Sequence, residues 1–218
     1  NAGFDPRQSS EFLTKLAAQI RYKYKPPAFL LTHPLPESRV SDVRLRAEQY
    51  PKKHFEDSLE FNLAKSRVIA RYYQKSKAAE DLFRKLMREN TVHNTALKYG
   101  LGISLLDQKK LDEAANILEP LLKEDPKNLF YIDTHTDLLI AQGKAAEAVT
   151  YLAKLDVDRP NNQVITLNYA NAAIEAEQYE LAERILKSFL LAKPEHNLGK
   201  QLIASVYKKQ ENMASYHE

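Results

Sequence analysis

Two aspartates and one asparagine stand at spacings that could form a polar binding site. Asp133 and Asp137 lie at i and i+4 within a stretch of helical apolar spacing, so they share one helix face. Asn171 follows further along the chain, and its amide could hydrogen-bond to the backbone of a bound peptide. Carboxylates on helices are by default solvated, so this polar centre needs apolar surroundings to act as a site.

One histidine has a setting that could bring it to a metal ion. His33 stands between an apolar stretch at residues 28–32 (AFLLT), which we predict to be extended, and Pro34. A neutral imidazole held there could reach a metal ion, or it could hydrogen-bond to a neighbouring carbonyl or carboxylate and fix the loop. The other histidines are dispersed without an i, i+4 pair, so we expect no shared metal among them.

No motif in the chain predicts catalysis. It has no glycine-rich phosphate loop, no Gly-x-Ser-x-Gly elbow and no His-Glu-x-x-His sequence. Cysteine is absent, which excludes disulfide bonds and thiol chemistry. We therefore expect no catalytic residue in these 218 residues.

The composition favours helices and argues against nucleic-acid binding or membrane insertion. Hydrophobic residues make up 44% and charged residues 28%, and there are only five glycines. No apolar run approaches the roughly 18 residues of a membrane span. Although the net charge is +3, the basic residues are interspersed with acidic ones, which is typical of a solvated helix surface.

A regular repeat organises the second half of the chain. The pattern is a small residue, a second small residue, a large one and a proline, and it occurs three times: Gly102, Ala114, Leu118, Pro126; Thr136, Ala148, Leu152, Pro160; Ala170, Ala182, Leu186, Pro194. Small residues let two antiparallel helices approach closely, and proline ends the second helix. The constant period, about 34 residues, is typical of the tetratricopeptide repeat. It predicts an all-α solenoid with repeats at 95–128, 129–162 and 163–196.

Positions 2, 5, 9 and 12 of each first helix are expected to line a concave groove. They are Ala96, Tyr99, Ile103, Leu106; Phe130, Asp133, Asp137, Ile140; Val164, Leu167, Asn171, Ile174. Apolar walls around a small polar centre suit an extended or helical peptide. We predict that the partner-binding residues are Tyr99, Ile103, Phe130, Asp133, Asp137 and Asn171. Some of these residues could instead pack against a neighbouring helix, and the paired aspartates would repel an EEVD-type carboxylate tail.

Helices are also predicted on both sides of these repeats. Residues 8–22 form one helix, and a second begins at Pro36 and ends before Pro51. Residues 51–94, with helices at 55–73 and 77–88, form a connector or a degenerate first repeat, because bulky Arg67 or Val68 fills the small-residue position.

A partial fourth repeat is predicted at 197–218, with Ala204 in its small position. Half a repeat would leave Leu202, Ile203 and Val206 without a packing partner. We therefore expect the natural chain to continue beyond Glu218.

Residues 1–50 resemble the end of the catalytic domain of HtpX-type zinc metallopeptidases. The resemblance rests on GFDP near the start, then PPAFLLTHPLPESR and an arginine-rich helix. In that family the zinc ligands precede the GFDP turn, so the resemblance implies that zinc binds in the parent protein and not in this fragment. It also implies that His33 could approach that zinc.

The resemblance, together with the repeats, implies a bacterial periplasmic metalloprotease with chaperone function in outer-membrane protein assembly and quality control. Its repeats would contact the barrel-assembly machinery or unfolded outer-membrane proteins. The alternative is a non-enzymatic repeat scaffold or assembly cofactor, in which residues 1–50 only cap the array. A His-Glu-x-x-His motif encoded upstream would distinguish the two.

Overall fold

The computed structural model describes residues 5–20, 36–52, 56–89 and 94–214, and all regular secondary structure in these ranges is helical. The predicted all-α fold is confirmed. None of the helices in these ranges is long and apolar enough to cross a bilayer. The chain divides into two compact units, residues 1–57 and residues 58–218.

The first unit contains two packed helices, α1 (Arg7–Ile20) and α2 (Pro36–Glu48). Asp5 accepts a hydrogen bond from the backbone N–H of Arg7 (3.0 Å) at the start of α1, where a carboxylate is favourable. The guanidinium of Arg7 donates to the Tyr50 carbonyl (3.0 Å) and so connects α1 to the residues after α2. Pro36 is the first residue of α2, as predicted. Residues 28–32 and His33 lie outside the described residues.

The second unit is a stack of helical pairs. Its helices are α3 (Leu59–Val68, continued by a π-helical turn at Ile69–Tyr73), α4 (Ser76–Glu89), α5 (Asn94–Asp107), α6 (Leu111–Glu124), α7 (Leu129–Ala141), α8 (Ala145–Asp158), α9 (Gln163–Glu175), α10 (Tyr179–Ala192) and α11 (Asn197–Ala214). Each helix from α4 to α11 contacts the next, and the first helices α3, α5, α7, α9 and α11 also contact one another in series. This arrangement is that of a tetratricopeptide-repeat solenoid.

The small residues of the repeat allow the two helices of each pair to pack closely. A Cβ atom added to Gly102 in α5 would lie 2.5 Å from Leu118 Cδ2 in α6, closer than any real contact. The equivalent residues Thr136 and Ala170 are fully buried. The three prolines lie in the turns that follow α6, α8 and α10, where they cannot interrupt a helix.

The pair α3–α4 follows the repeat with one additional residue. Ala70, in the π-helical turn, lies one repeat length before Ser104, whereas Phe83 in α4 lies one repeat length and one further position before Leu118. All four residues are at most 5% exposed. The π-helical turn has a hydrogen bond from Gln74 N to Ile69 O (3.2 Å), an i→i+5 bond. Because such a turn holds one more residue than an α-helical turn, it absorbs the insertion.

A buried carboxylate in α4 forms hydrogen bonds with the following helical pair, α5–α6. Glu80, 4% exposed, accepts hydrogen bonds from Lys110 Nζ (2.9 Å), Arg84 Nε (2.9 Å) and Gln108 Nε2 (3.1 Å), and Lys77 Nζ lies 3.3 Å away. Hydrogen bonds from these side chains, with Lys110 contributing most, lower the pKa of Glu80 from 4.5 to about 2 although burial opposes this.

The packing of α11 corrects one prediction. Val206 is fully buried, and Leu202 and Ile203 pack against the core formed by the preceding helices, so these residues do have partners. One face of α11 contacts α9 and α10, which is enough to bury them. Ala204, predicted to occupy a packed position, is instead exposed.

Candidate functional site

The predicted groove residues lie on the row of first helices, but those of α5 are covered. Tyr99 and Ile103 are fully buried, and Ala96 and Leu106 are at most 4% exposed, because α3 and its π-helical turn pack against α5. Tyr99, Ile103 and Ala96 therefore present almost no surface that a partner could contact, whereas Leu106 still lines a pocket at the end of α5.

The predicted residues on α7 and α9 do reach the surface. Phe130, Asp133, Asp137 and Asn171 are each partly exposed. We call the surface formed by α7, α9 and α11 the open face; the residues of these helices at the four groove positions, of which Leu167 and Ile174 are buried, are Phe130, Asp133, Asp137, Ile140; Val164, Leu167, Asn171, Ile174; Leu198, Gln201, Ser205, Lys208.

Two arginines from α3 and its π-helical turn pair with the aspartates of α7. Arg67 Nη2 lies 2.5 Å from Asp133 Oδ2, and Arg71 Nη2 lies 2.6 Å from Asp137 Oδ2. The two arginines are spaced i, i+4, and so are the two aspartates. Each arginine can therefore reach one aspartate across α5. Burial disfavours both guanidinium charges, but the aspartates more than offset it and raise the pKa of each arginine. The acidic centre expected from the sequence is therefore largely neutralised.

The first ion pair is held by hydrogen bonds from several helices. The Tyr99 hydroxyl lies 3.0 Å from Thr134 Oγ1 and accepts a hydrogen bond from Arg67 Nη1 (3.4 Å). On the other side, Asn168 Nδ2 in α9 donates to Asp133 Oδ1 (2.9 Å). Asp133 therefore lies between a guanidinium and an amide, which fixes its carboxylate.

Within the described ranges, each ion pair leaves one buried polar atom without a hydrogen bond, Asp133 Oδ2 in the first and Arg71 Nε in the second. The nearest carboxylate oxygen recorded for Arg71 Nε, Asp107 Oδ2 at the end of α5, lies 3.8 Å away. Burial raises the pKa of Asp107, and Arg71 and Lys109 only partly oppose this. Burial likewise raises the pKa of Asp137 despite its bond to Arg71. Burial of these two carboxylates is therefore only partly compensated by the neighbouring cations.

A pocket of about 400 Å³ opens beside this second pair. Its polar lining is Arg71, Asp107, Lys109, Asp137 and Asn171, and its apolar lining is Leu106, Ile140 and Ala141. The Asn171 side chain makes no hydrogen bond within the described part of the chain, so its amide is available to a ligand.

Sequence reasoning missed Arg67, Arg71 and Asn168. In the sequence, Arg67 stands out only as a poor fit to a small-residue position, although its i, i+4 spacing from Arg71 matches that of Asp133 and Asp137. This matched spacing is the feature of the sequence that could have suggested the two arginine–aspartate pairs. Of the other predicted site residues, His33 lies outside the described residues; within them, no group of three His, Cys, Asp or Glu side chains could hold a metal ion.

Comparison with known proteins agrees with the fold. The tetratricopeptide-repeat family model matches residues 139–206. Beta-barrel assembly-enhancing proteases of Yersinia pestis, Escherichia coli (strain K12) and Shigella flexneri are each 38% identical to this chain over 204 residues. These alignments cover 93% of this chain and 42% of each relative, so the chain spans less than half of their length. The chain is therefore similar, along nearly all of its length, to part of the beta-barrel assembly-enhancing proteases, and its residues 139–206 match the tetratricopeptide repeat.

Proposed function

We propose that the open face binds a segment of another protein. The observation that carries this proposal is its arrangement in rows: at position 2 the apolar Phe130, Val164 and Leu198, and at position 9 the polar Asp137, Asn171 and Ser205. Each row takes one residue from each of α7, α9 and α11. Side chains of an extended segment could pack on the apolar row while its backbone hydrogen-bonds to the polar row.

The relatives' name, and the resemblance of residues 1–50 to a metallopeptidase, support a proposal for the partner and the setting. We propose that this chain acts in the periplasm as the recognition region of a zinc metalloprotease, and that it binds unfolded outer-membrane proteins or the machinery that assembles them. Tethering a client beside the protease raises its local concentration without a further catalytic group. The zinc ligands would lie in the parent protein, with His33 near them.

Site-specific photocrosslinking tests this proposal. A photoreactive residue replaces, in turn, Val164, Asn171 and Ser205 on the open face, and Lys154 and Ser188 as exposed controls on the second helices. An unfolded outer-membrane barrel protein, diluted from urea, serves as the client. Crosslinks from the three open-face positions and not from the controls are expected.

Two results would count against the proposal. Crosslinks only from Lys154 and Ser188 would place recognition on the second helices. Equal crosslinking from all five positions would show contact without a defined surface. Separately, absence of a His-Glu-x-x-His motif upstream in the complete gene would favour the non-enzymatic scaffold.

A further inference from the structure

We propose that the pocket beside Arg71 takes a lysine or arginine side chain of the bound segment, an inference that rests on the function proposed above. The pocket then determines which stretch of a client the open face selects: one that carries a basic side chain between apolar residues. Four features of the structure support this.

The first feature is the shape and lining of the pocket. About 400 Å³ accommodates one long side chain. Leu106, Ile140 and Ala141 supply an apolar wall on which an aliphatic stem of three or four carbons can lie, and the carboxylates of Asp107 and Asp137 are the anionic groups around it. Lysine and arginine combine such a stem with a terminal charge.

The second feature is the balance of charge. Three carboxylates, those of Asp107, Asp133 and Asp137, share two guanidiniums. Asp107 is the least directly paired of the three, because among the described residues it receives no hydrogen bond and its ion pair with Arg71 Nε is long, at 3.8 Å. Lys109 also lines the pocket, but in the same part of the chain it forms no ion pair with Asp107 and is solvent-exposed. A cationic group from a ligand could bond directly to Asp107.

The third feature is that the protein already uses this chemistry at the same surface. Asp133 and Asp137 each hold a guanidinium that reaches them from another helix, at 2.5 and 2.6 Å. A ligand's basic group at Asp107 would repeat this contact one helix away. A carboxylate or phosphate placed at the same oxygen atoms of Asp107 would instead be repelled.

The fourth feature is the position of the pocket relative to the open face. Its lining includes Asp137, Ile140 and Asn171, all at groove positions. A segment that lies along the polar row therefore passes the pocket mouth, and one of its side chains can enter while its backbone stays bonded to Asn171.

The test compares two synthetic peptides of about ten residues, the length of a transmembrane β-strand. Both alternate valine or tyrosine with threonine, and they differ only at the centre, where one has lysine and the other norleucine. Binding to the 218-residue chain is followed by NMR titration. We expect the lysine peptide to bind about three to ten times more tightly at low salt, and this preference to shrink as salt is added.

Variants locate the preference. Asp107→Asn should abolish the advantage of the lysine peptide, whereas Asp158→Asn, which removes an exposed carboxylate at the end of α8, should preserve it. Thermal unfolding of both variants checks that the fold is retained. If Asp107→Asn proves unstable, a second measurement uses the unaltered chain. It is the change in the NMR shift of the Asn171 side-chain amide when the lysine peptide is added.

The outcomes separate this inference from the proposed function. Equal affinity for both peptides, with NMR shifts along α9, would overturn the lysine pocket and leave recognition by the open face intact. No binding of either peptide would overturn both. A lysine preference that survives Asp107→Asn would show that the basic group binds elsewhere.

Discussion

Replacing Glu80 by glutamine should loosen the attachment of α4 to the next helical pair. The carboxylate is 4% exposed and is bonded by Lys110, Arg84 and Gln108. Glutamine keeps the shape and the helix propensity but removes the charge. A fall of the pKa from 4.5 to about 2 corresponds to about 3 kcal/mol, and partial exposure of the lysine and arginine partners reduces this to about 2 kcal/mol.

The pH dependence distinguishes a charge effect from a packing effect. Because folding lowers the pKa of Glu80, its stabilising contribution is present above pH 4.5 and is lost as the pH falls toward 2. The difference in unfolding free energy between the unaltered chain and Glu80→Gln should therefore be about 2 kcal/mol at pH 7 and should shrink steadily below pH 4.5.

Urea denaturation monitored by circular dichroism measures this difference, with hydrogen exchange of α4 amides as the local reading. The matched control is Asp81→Asn, because Asp81 is 63% exposed and the ion pair it forms is with Lys77, at 2.9 Å. It should change stability by less than about 0.5 kcal/mol. The electrostatic explanation would be refuted if Glu80→Gln lowered the unfolding free energy equally at pH 3 and pH 7. It would also be refuted if the loss were no larger than that caused by Asp81→Asn.

Three further predictions concern packing, ion pairing and capping. Gly102→Ala should destabilise the chain by about 1–3 kcal/mol in urea denaturation, because the new methyl group meets Leu118. A double-mutant cycle on Arg67 and Asp133, with alanine at each, should give a coupling of about 1–3 kcal/mol by the same assay, and a coupling near zero would mean that the pair forms without stabilising. Asn162→Ala should lower the melting temperature, since loss of the N-cap of α9 costs about 1 kcal/mol.

The repeat pattern was predictable because its causes are local. A proline that ends α6 or α8 and a small residue that lets Leu118 approach act within one helical pair, so their constant spacing along the chain is sufficient to reveal them. The same logic places Asp133, Asp137 and Asn171 on first helices.

The covering of α5 was not predictable because it depends on residues far apart in sequence. Tyr99 and Ile103 occupy standard groove positions, and only the packing of α3 against α5 shows that they are buried. That packing includes a π-helical turn that shifts the register by one residue, which a search for a fixed period cannot detect. Arg67 and Asp133 belong to helical pairs that are not consecutive in the chain, so their matched i, i+4 spacings show that they could pair but not that they lie close together.

The two arginine–aspartate pairs change how the array can come apart. In a repeat array in which each helical pair contacts only its immediate neighbours, the terminal pair can unfold by breaking a single interface. Here α3 and its π-helical turn are bonded to α7, which belongs to the next pair but one. Opening this end must therefore release contacts with two successive members at once, so α3, α5 and α7 behave as one cooperative block.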